Sequence, residues 1–356
     1  MGYNHAMSNA DSRIPSPAAP PPIAHRVGVI GDGAMGTLCA LILAGGGHGV
    51  RLWGRSSQRI RELEQQRENH RYLPGVPLPD TIELTDSDNS IAQDADFLIC
   101  AVPAQYIRPV LQRLKPHIPQ HIAMLSIAKG IENHTLLRPT QIILDVLPGR
   151  SVAALSGPCI AAEAARQLPA TLVAASADDA LMERIQQLMT TRYLRIYRNA
   201  DLTGVELAGA MKNVIAIAAG VLDGMKMGVN AKAALLTRGL VEITRLGTAM
   251  GAQADTFSGL AGLGDLVTTG FSMEGRNRSF GQRVGQGATP QAAMAETAGV
   301  VEGVATTLSV LELARRYGVE MPISEMLYAV LFHAKPPQQG IAELMSRQPK
   351  AEQNPA

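Results

Sequence analysis

Short apolar runs that stop at turn residues alternate with helical stretches from Arg26 to about Asp201. This alternation is typical of a parallel sheet with helices packed on both faces. We predict strands over Val27–Ile30, Val50–Trp53, Phe97–Val102, Ala123–Ile127, Val152–Leu155, Thr171–Ala174 and Leu194–Tyr197. We predict helices between them over Thr37–Ala44, Gln58–Gln66, Tyr106–Arg113 and Asp179–Met189. The pattern therefore indicates a doubly wound α/β domain.

The pattern changes after Asp201, where strand-like runs give way to long helical ones. The segment Thr203-Gly-Val-Glu206 has the spacing of a capping box, which predicts that a helix starts there. We expect residues 25–201 to form the α/β domain and residues 202–345 to form an all-helical second domain. Residues 1–24, which become rich in proline and alanine, and residues 346–356 are expected to be flexible tails.

The length of the chain indicates how many domains it forms, and its net charge indicates which kinds of partner it does not attract. A length of 356 residues fits two domains. The 32 Lys and Arg against 31 Asp and Glu leave a formal net charge of +1, which gives no general attraction to nucleic acid or anionic lipid. We therefore predict no nucleic-acid partner, and any site for an anion must be local.

Signals for a membrane or for secretion are not evident. No uncharged apolar run reaches the roughly eighteen residues of a membrane span, and the N-terminus lacks the basic start and apolar block of a signal peptide. We expect a cytoplasmic protein without a membrane span. The cysteines, Cys39, Cys100 and Cys159, are too few and scattered for a disulfide framework or a metal cluster. We expect all three to be small buried residues and predict no metal site.

A glycine-rich loop follows the first predicted strand and opens an apolar helix. In Gly31-Asp-Gly33-Ala-Met-Gly36, the first glycine allows a tight turn and Gly33 lets a pyrophosphate approach the backbone. Gly36 lets helix and strand pack closely, and the helix N-terminus faces the anion. The alternative is a glycine-rich turn without a ligand. The order of strand, turn and helix favours a Rossmann-like dinucleotide site.

The end of the second strand bears on the choice of dinucleotide. An Asp or Glu there would bind the ribose hydroxyls of NAD, but the chain reads Leu52-Trp-Gly-Arg55. Arg55 can face the 2′-phosphate of NADP, or it can be a solvated surface charge. We predict that NADP(H) is accepted at least as well as NAD(H).

A single lysine interrupts the apolar segment between Glu206 and Asp223. A helix that is apolar nearly all round is buried, so Lys212 must either extend to solvent or point into a polar cavity. Burial would lower its pKa toward the range useful for proton transfer. Asn213 beside it needs hydrogen-bond partners if it is buried.

Further polar candidates follow predicted strands or glycine-rich segments. Lys129 ends one strand and Ser156-Gly157-Pro158 follows the next, so both lie at the carboxyl edge of the sheet, where α/β proteins bind ligands. Asp265, after Gly262-Leu-Gly, fits either a helix N-cap or a catalytic residue. Arg276 and Asn277 fit either surface positions or a phosphate clamp, because a guanidinium group binds phosphate oxygens in a bidentate fork.

Taken together and in order, these motifs resemble the NAD(P)-dependent sn-glycerol-3-phosphate dehydrogenases of the bacterial type over roughly residues 26–345. The resemblance rests on the glycine loop, Leu-Trp-Gly-Arg55, Ala101-Val-Pro103, Ser126-Ile-Ala-Lys129-Gly130, Ser156-Gly-Pro-Cys159, Glu206-Leu-Ala-Gly-Ala-Met-Lys212-Asn213, Gly262-Leu-Gly-Asp265-Leu and Arg276-Asn277-Arg278. It implies a Rossmann-like first domain and an all-helical second domain like the C-terminal domain of 6-phosphogluconate dehydrogenase.

The resemblance also implies roles for individual residues. It makes Lys212 the proton donor and acceptor, with Lys129 and Asp265 in the same catalytic centre. Substrate-binding positions are Lys129, Gly157, Cys159, Lys212, Asp265, Gly275, Arg276 and Asn277. Cofactor-binding positions are Gly31, Gly33, Ala34, Met35, Gly36, Arg55, Lys129, Ala161, Arg276, Val300 and Glu302.

The activity that the resemblance implies is reversible reduction of dihydroxyacetone phosphate to sn-glycerol 3-phosphate with NADP(H) or NAD(H), which supplies glycerophospholipid precursors. The resemblance is also compatible with a homodimer. The chain departs from the family pattern at Ala34 and Met35, where Ser or Thr and an aromatic residue are usual, and at Gly275, where Ser is usual. The Ala-Met pair resembles the loop of β-hydroxyacid dehydrogenases. A β-hydroxyacid or 6-phosphogluconate-type dehydrogenase and a non-catalytic NAD(P)-binding sensor are therefore the alternatives.

Overall fold

The computed structural model describes residues 25–297 and 299–348. The predicted tail over residues 1–24 and most of the second tail lie outside the described residues. The strands are β1 (Arg26–Ile30), β2 (Gly49–Trp53), β3 (Glu68–Asn69), β4 (Leu73–Pro77), β5 (Ile82–Thr85), β6 (Phe97–Cys100), β7 (Ala123–Ser126), β8 (Val152–Ser156), β9 (Ala170–Ala175) and β10 (Leu194–Asn199). All seven predicted strands are present; β3, β4 and β5 were not predicted.

Fifteen α-helices are described, together with a 3₁₀ turn at Lys115–His117 and a π-helical turn at Leu260–Gly264. They are α1 (Ala34–Gly45), α2 (Ser57–Gln66), α3 (Ala104–Leu114), α4 (Pro139–Val146), α5 (Ala161–Ala165), α6 (Asp179–Met189), α7 (Leu202–Gly224), α8 (Gly228–Ala249), α9 (Ala254–Ser258), α10 (Asp265–Phe271), α11 (Arg276–Gly285), α12 (Pro290–Ala295), α13 (Glu302–Tyr317), α14 (Pro322–Phe332) and α15 (Pro337–Met345).

Eight strands form one sheet in the order β10-β9-β8-β7-β6-β1-β2-β5. Apolar side chains of α1, α2 and α6 pack on one face, and those of α3 and α4 pack on the other, as in a doubly wound Rossmann-like fold. The carboxyl ends of β1, β2, β6 and β7 therefore meet at one edge of the sheet. This edge carries the glycine loop, Arg55 and Lys129.

The predicted parallel sheet is confirmed at every pair of the eight-stranded sheet except one. β9 runs antiparallel to β8, and β10 is parallel to β9. The cause is the short connection: α5 has five residues, which span about 7.5 Å at 1.5 Å per residue. A helix of that length does not carry the chain back along a strand, and the chain reverses instead.

The start of α7 differs from the predicted capping box. The N-cap is Asp201, whose Oδ1 accepts a hydrogen bond from the backbone N–H of Gly204 at 2.8 Å. Thr203 lies inside the helix. The Glu206 carboxylate points away from α7 and toward the N-terminus of α4. An arginine and free backbone amides there stabilise a buried carboxylate more than the backbone N–H at the start of α7 would.

Glu206 joins the helical part of the chain to the sheet. It pairs with Arg138 and accepts hydrogen bonds from the backbone N–H and the hydroxyl of Thr140, at the start of α4, at 2.8 and 2.7 Å. On α13, Ser309 Oγ donates to Asn133 Oδ1 at 2.6 Å. These two groups of bonds form what we call the seam between sheet and helices.

The helices after Asn199 pack around α7, and most of its residues are buried. In the described part of the chain, α7 is the helix that is long and apolar enough to cross a membrane by length and composition. Its most apolar eighteen-residue window is 94% buried inside the protein. It is therefore the central helix of a protein core.

Candidate active site

A cavity of about 720 Å³ lies between the carboxyl edge of the sheet and helices α7, α10 and α11. The glycine loop and Arg55 line one part of it. Lys129, Lys212 and Asp265 line another. Residues from distant parts of the sequence thus face one space, as expected for the ligand-binding crevice of a doubly wound protein.

A carboxylate between two lysines forms the polar centre of the cavity. Lys212 Nζ donates to Asp265 Oδ1 at 2.7 Å, and Lys129 Nζ lies 2.5 Å from Asp265 Oδ2. Lys129 Nζ also donates to the backbone carbonyl of Gly157 at 3.1 Å. Asp265 is the first residue of α10, after the N-cap Gly264. The N-cap interpretation of Asp265 was therefore wrong.

Burial and charge set the protonation of this cluster. Burial lowers the pKa of Lys212 from the usual 10.5 to about 8, with Asp265 opposing the shift and Lys129 adding to it. Burial alone would raise the pKa of Asp265, but the two ammonium groups outweigh burial and keep it below its ordinary value. Near neutral pH, Asp265 is a carboxylate and Lys212 is an ammonium group that releases its proton easily.

Thr269 completes the surroundings of the Lys212 amine, and sequence reasoning missed it. Lys212 Nζ donates to Thr269 Oγ1, and Thr269 is 9% exposed. The residue lies one turn after Asp265 on α10. Spacing of four residues places both side chains on one helix face, which is the signal that could have found it.

The glycine loop has the geometry that a dinucleotide needs. Gly31 has φ +115°, and a Cβ there would lie 2.8 Å from the carbonyl oxygen of Ala101. A Cβ at Gly33 would meet nothing within 4 Å, so the backbone is open toward the cavity. Gly36 packs against the carbonyl oxygen of Gly31, 1.9 Å from the position a Cβ would take. The residues present therefore fit a pyrophosphate at the N-terminus of α1.

Beyond the loop, the cavity wall is cationic and aromatic. Arg55 lines it with an exposed side chain. The guanidinium carbon of Arg59 lies 4.5 Å from the ring centre of Tyr72, and Arg59 pairs with Asp32 at 2.9 Å. Arg71 contacts the same ring at 5.3 Å. Sequence reasoning missed Asp32, Arg59, Arg71 and Tyr72 as a group, since they meet only in the folded chain.

The first turn of α11 supplies the candidate phosphate clamp. Gly275 is its N-cap, and Arg276 and Asn277 line the cavity. Asn277 Oδ1 accepts from the backbone N–H of Gly303 at 2.9 Å, which leaves its amide N–H groups as the available donors.

Burial raises the pKa of the Glu302 carboxyl above its ordinary value, although nearby cations, Arg276 first, oppose the shift.

Most predicted site residues reach the same cavity. Its wall includes Gly31, Gly33, Ala34, Met35, Arg55, Lys129, Cys159, Ala161, Lys212, Asp265, Gly275, Arg276, Asn277, Val300 and Glu302. Gly36 packs behind the loop, and Gly157 contributes its carbonyl group to Lys129. Two predicted positions thus act from behind the wall.

The cysteines fit the expectation only in part. Cys39 and Cys100 are buried, but Cys159 is partly exposed because it lines the cavity, so the expectation was wrong for Cys159. Burial raises the pKa of the Cys159 thiol to about 11, which keeps it neutral. Within residues 25–297 and 299–348, no cluster of three or more His, Cys, Asp or Glu side chains is placed to hold a metal ion.

Two family profiles cover this architecture. The profile described as the NAD-dependent glycerol-3-phosphate dehydrogenase N-terminus matches residues 26–182, and the one for the C-terminus matches residues 201–342. A glycerol-3-phosphate dehydrogenase [NAD(P)+] of Geobacter sp. (strain M21) is 45% identical over 333 residues, 93% of this chain and 99% of the relative. The chain belongs to the NAD-dependent glycerol-3-phosphate dehydrogenase family. A relative of the same name from Carboxydothermus hydrogenoformans is 44% identical over 92% of this chain and 98% of its own length.

Solved structures agree with this family. A glycerol-3-phosphate dehydrogenase from Coxiella burnetii has a TM-score of 0.89 and 35% identity, covering 92% of this chain and 100% of its own. The yeast enzyme has a TM-score of 0.77 and 25% identity over 91% of this chain and 100% of its own. A ketopantoate reductase family protein from Ralstonia eutropha has a TM-score of 0.57 and 15% identity, covering 89% of this chain and 99% of its own. At this identity the similarity shows the fold alone.

Proposed function

We propose that this member of the family reduces dihydroxyacetone phosphate to sn-glycerol 3-phosphate, reversibly, with NADP(H) or NAD(H). The observation that carries the proposal is the placement of the Lys212–Asp265–Lys129 cluster in one cavity with a dinucleotide loop and the Arg276–Asn277 pair. A proton source, a hydride carrier and a phosphate anchor are the three elements this reaction needs.

Side chains of this protein transfer the proton and stabilise the negative charge that develops on the substrate oxygen. We assign Lys212 as the acid that gives a proton from Nζ to the carbonyl oxygen of the substrate, and as the base in the reverse direction. The Lys212 amine is held by two hydrogen bonds that it donates, one to Asp265 Oδ1 at 2.7 Å and one to Thr269 Oγ1. Lys129, fixed by Asp265 and the carbonyl of Gly157, supplies a second cation beside the forming alkoxide.

The substrate phosphate is assigned to the first turn of α11. Arg276 offers a guanidinium fork, and Asn277 offers an amide whose orientation the Gly303 N–H fixes. Gly275, Gly157 and Cys159 complete the substrate side. Anchoring the phosphate places the carbonyl carbon for attack, and such orientation contributes directly to rate.

The fit of the cavity supports the proposed cofactor positions. Gly31, Gly33 and the start of α1, with Ala34 and Met35, would hold the pyrophosphate, and Gly36 would keep helix and strand close. Arg55 would face a 2′-phosphate. The remaining assigned positions are Lys129, Ala161, Arg276, Val300 and Glu302. When bound, NAD(P)H supplies the hydride.

The test compares two ketones and one variant. The wild-type protein is expected to oxidise NAD(P)H with dihydroxyacetone phosphate and to use unphosphorylated dihydroxyacetone very poorly, because the clamp would then stay unpaired. Lys212→Ala is expected to abolish turnover while keeping the Kd for NADPH. Turnover with 3-keto acids instead would favour a β-hydroxyacid dehydrogenase, and cofactor binding without turnover of any of these ketones would favour a sensor.

Compartment and assembly are further proposals. We place the protein in the cytoplasm, and the free thiols of Cys39, Cys100 and Cys159 support a reducing compartment. A homodimer stays a prediction, which light scattering of the purified protein would test.

A further inference from the structure

Helices α7 and α11 touch through their backbones. The contact is lined by two glycine pairs at spacing of four: Gly220, Gly224, Gly281 and Gly285. A Cβ at any of them would lie 2.0 to 2.2 Å from a backbone carbonyl oxygen of the other helix. Glycine is therefore required for this approach, and the separation of the two helices is fixed by backbone rather than by flexible side chains.

The two helices run in the same direction. Gly281 faces Ile217 and, four residues later, Gly285 faces Val221. The four glycines contribute no side chain that would fix the position of α11 along α7, and the flanking Phe280 and Val284 pack into the apolar core, where contacts are non-directional. Another contact must set the register.

A buried ion pair at the end of this contact links the two helices directly, in addition to the bond between Asn277 of α11 and Gly303 of α13. Asp223 of α7 accepts from Arg278 Nε of α11 at 2.6 Å and from Lys232 of α8 at 2.7 Å. Arg278 and Lys232 are 5% and 7% exposed. Arg278 Nη1 also donates to the carbonyl of Ser272 at 3.4 Å, in the loop before α11. Asp223 thus joins α7, α8 and α11, and Arg278 links α11 to that loop.

This network connects the acid and the anchor of the proposed reaction. Lys212 lies about three turns before Asp223 on the same face of α7. Arg276 and Asn277 immediately precede Arg278 on α11. A shift of α11 along α7 would therefore move the phosphate clamp relative to the Lys212 amine without touching either group.

We propose that Asp223 and Arg278 are positioning residues that set the distance between the phosphate clamp and Lys212. The inference rests on the proposed function and deepens it: the register of α11 on α7 determines how strongly the enzyme prefers a phosphorylated ketone. Neither residue lines the cavity among the described residues, so both act through Arg276 and Asn277.

The experiment measures the ratio of kcat/KM for dihydroxyacetone phosphate to kcat/KM for dihydroxyacetone. This ratio does not depend on the fraction of active protein, so loss of stability alone leaves it unchanged. Asp223→Asn is expected to lower the ratio roughly ten- to a hundredfold, the range for a displacement of about 1 Å. Asp223→Glu, which keeps the carboxylate, is expected to recover most of the ratio.

Two matched controls separate positioning from damage. Glu242→Gln alters another buried carboxylate, on α8, which bonds to Ile323 and Ser324 rather than α11, and it should keep the wild-type ratio. Gly220→Ala should lower the ratio, whereas Gly45→Ala, where a Cβ meets nothing within 4 Å, should not.

The outcomes are distinguishable. A wild-type protein that does not reduce dihydroxyacetone phosphate overturns the proposed function. A wild-type protein that prefers the phosphate ester, with an unchanged ratio in Asp223→Asn, overturns the positioning role alone. An Arg278→Met variant removes the other partner of the ion pair. If its ratio of kcat/KM values equals that of wild type, the positioning role is likewise overturned.

Discussion

The lowered pKa of Lys212 leads to a defined pH dependence of ketone reduction. The shift from 10.5 to about 8 corresponds to about 3 kcal/mol against the charged amine. Reduction needs the ammonium form, so kcat/KM is expected to be level near pH 7 and to fall as pH rises through 8. At pH 9 about one-tenth of the enzyme retains the proton, which predicts roughly a tenfold loss. An unshifted lysine would lose almost nothing at that pH.

The assay is kcat/KM for dihydroxyacetone phosphate from pH 7 to 10 at saturating NADPH, because this parameter reports groups of the enzyme before the substrate binds. The substrate phosphate, with a second pKa of about 6, is already ionised in this range. The oxidation of glycerol 3-phosphate should show the opposite slope, since it needs the neutral amine.

Two variants test the causes of the shift. Asp265→Asn removes the carboxylate that raises the pKa of Lys212, so the fall in residual activity should begin at lower pH. Lys129→Gln removes a neighbouring positive charge that lowers this pKa, so the fall should begin at higher pH. A wild-type profile that stays level to pH 10, or two variants that move in the same direction, would refute the reasoning.

Three further predictions follow from buried or cavity-lining charges. Glu206→Ala leaves Arg138 without its buried partner, and urea unfolding should show a loss of about 3–5 kcal/mol; a loss below about 1 kcal/mol would contradict it. Burial raises the pKa of Glu242 from 4.5 to about 7, so its neutral form stabilises the fold fully below pH 4.5 and this contribution is lost as pH rises from 4.5 through 7. The Tm of wild type should therefore fall relative to Glu242→Gln between about pH 4.5 and 7 and stay level above that, and a constant difference would contradict the shift. Arg55→Ala should weaken NADPH about tenfold and leave NADH nearly unchanged, and an equal effect on both would assign Arg55 to the adenine or the fold.

The parts of the fold that the sequence predicted are those with strong local patterns. The strands of the central sheet are buried on both faces, so their apolar runs are continuous. β4 contains Pro74, Gly75 and Pro77, which usually mark turns. The reversal at β9 depends on the length of the connection and on packing, which no strand pattern encodes.

The candidate site shows the same division. Lys212 could be predicted from the sequence because a charged residue in an apolar helix needs a polar partner or a path to solvent. Arg276 and Asn277 could be predicted because they are adjacent and fit a phosphate clamp. Thr269 gives a weaker signal, its spacing of four residues from Asp265, because a threonine near a helix end is common. Its role depends on α10 meeting α7, a contact between segments more than fifty residues apart. Asp223 and Arg278 are likewise paired only by the packing of two helices.

The seam formed by Glu206 and Ser309 has a consequence for how ligands enter. Its ion pair and hydrogen bonds hold α7 and α13 to the start of α4 and the segment after β7. On another side of the cavity, Tyr72 faces Gly299, where an added Cβ would lie 3.8 Å from the ring. A ring beside a glycine separates at far lower cost than a buried ion pair. Opening of the cleft for cofactor exchange should therefore pivot about the seam, with the gap appearing between Tyr72 and Gly299.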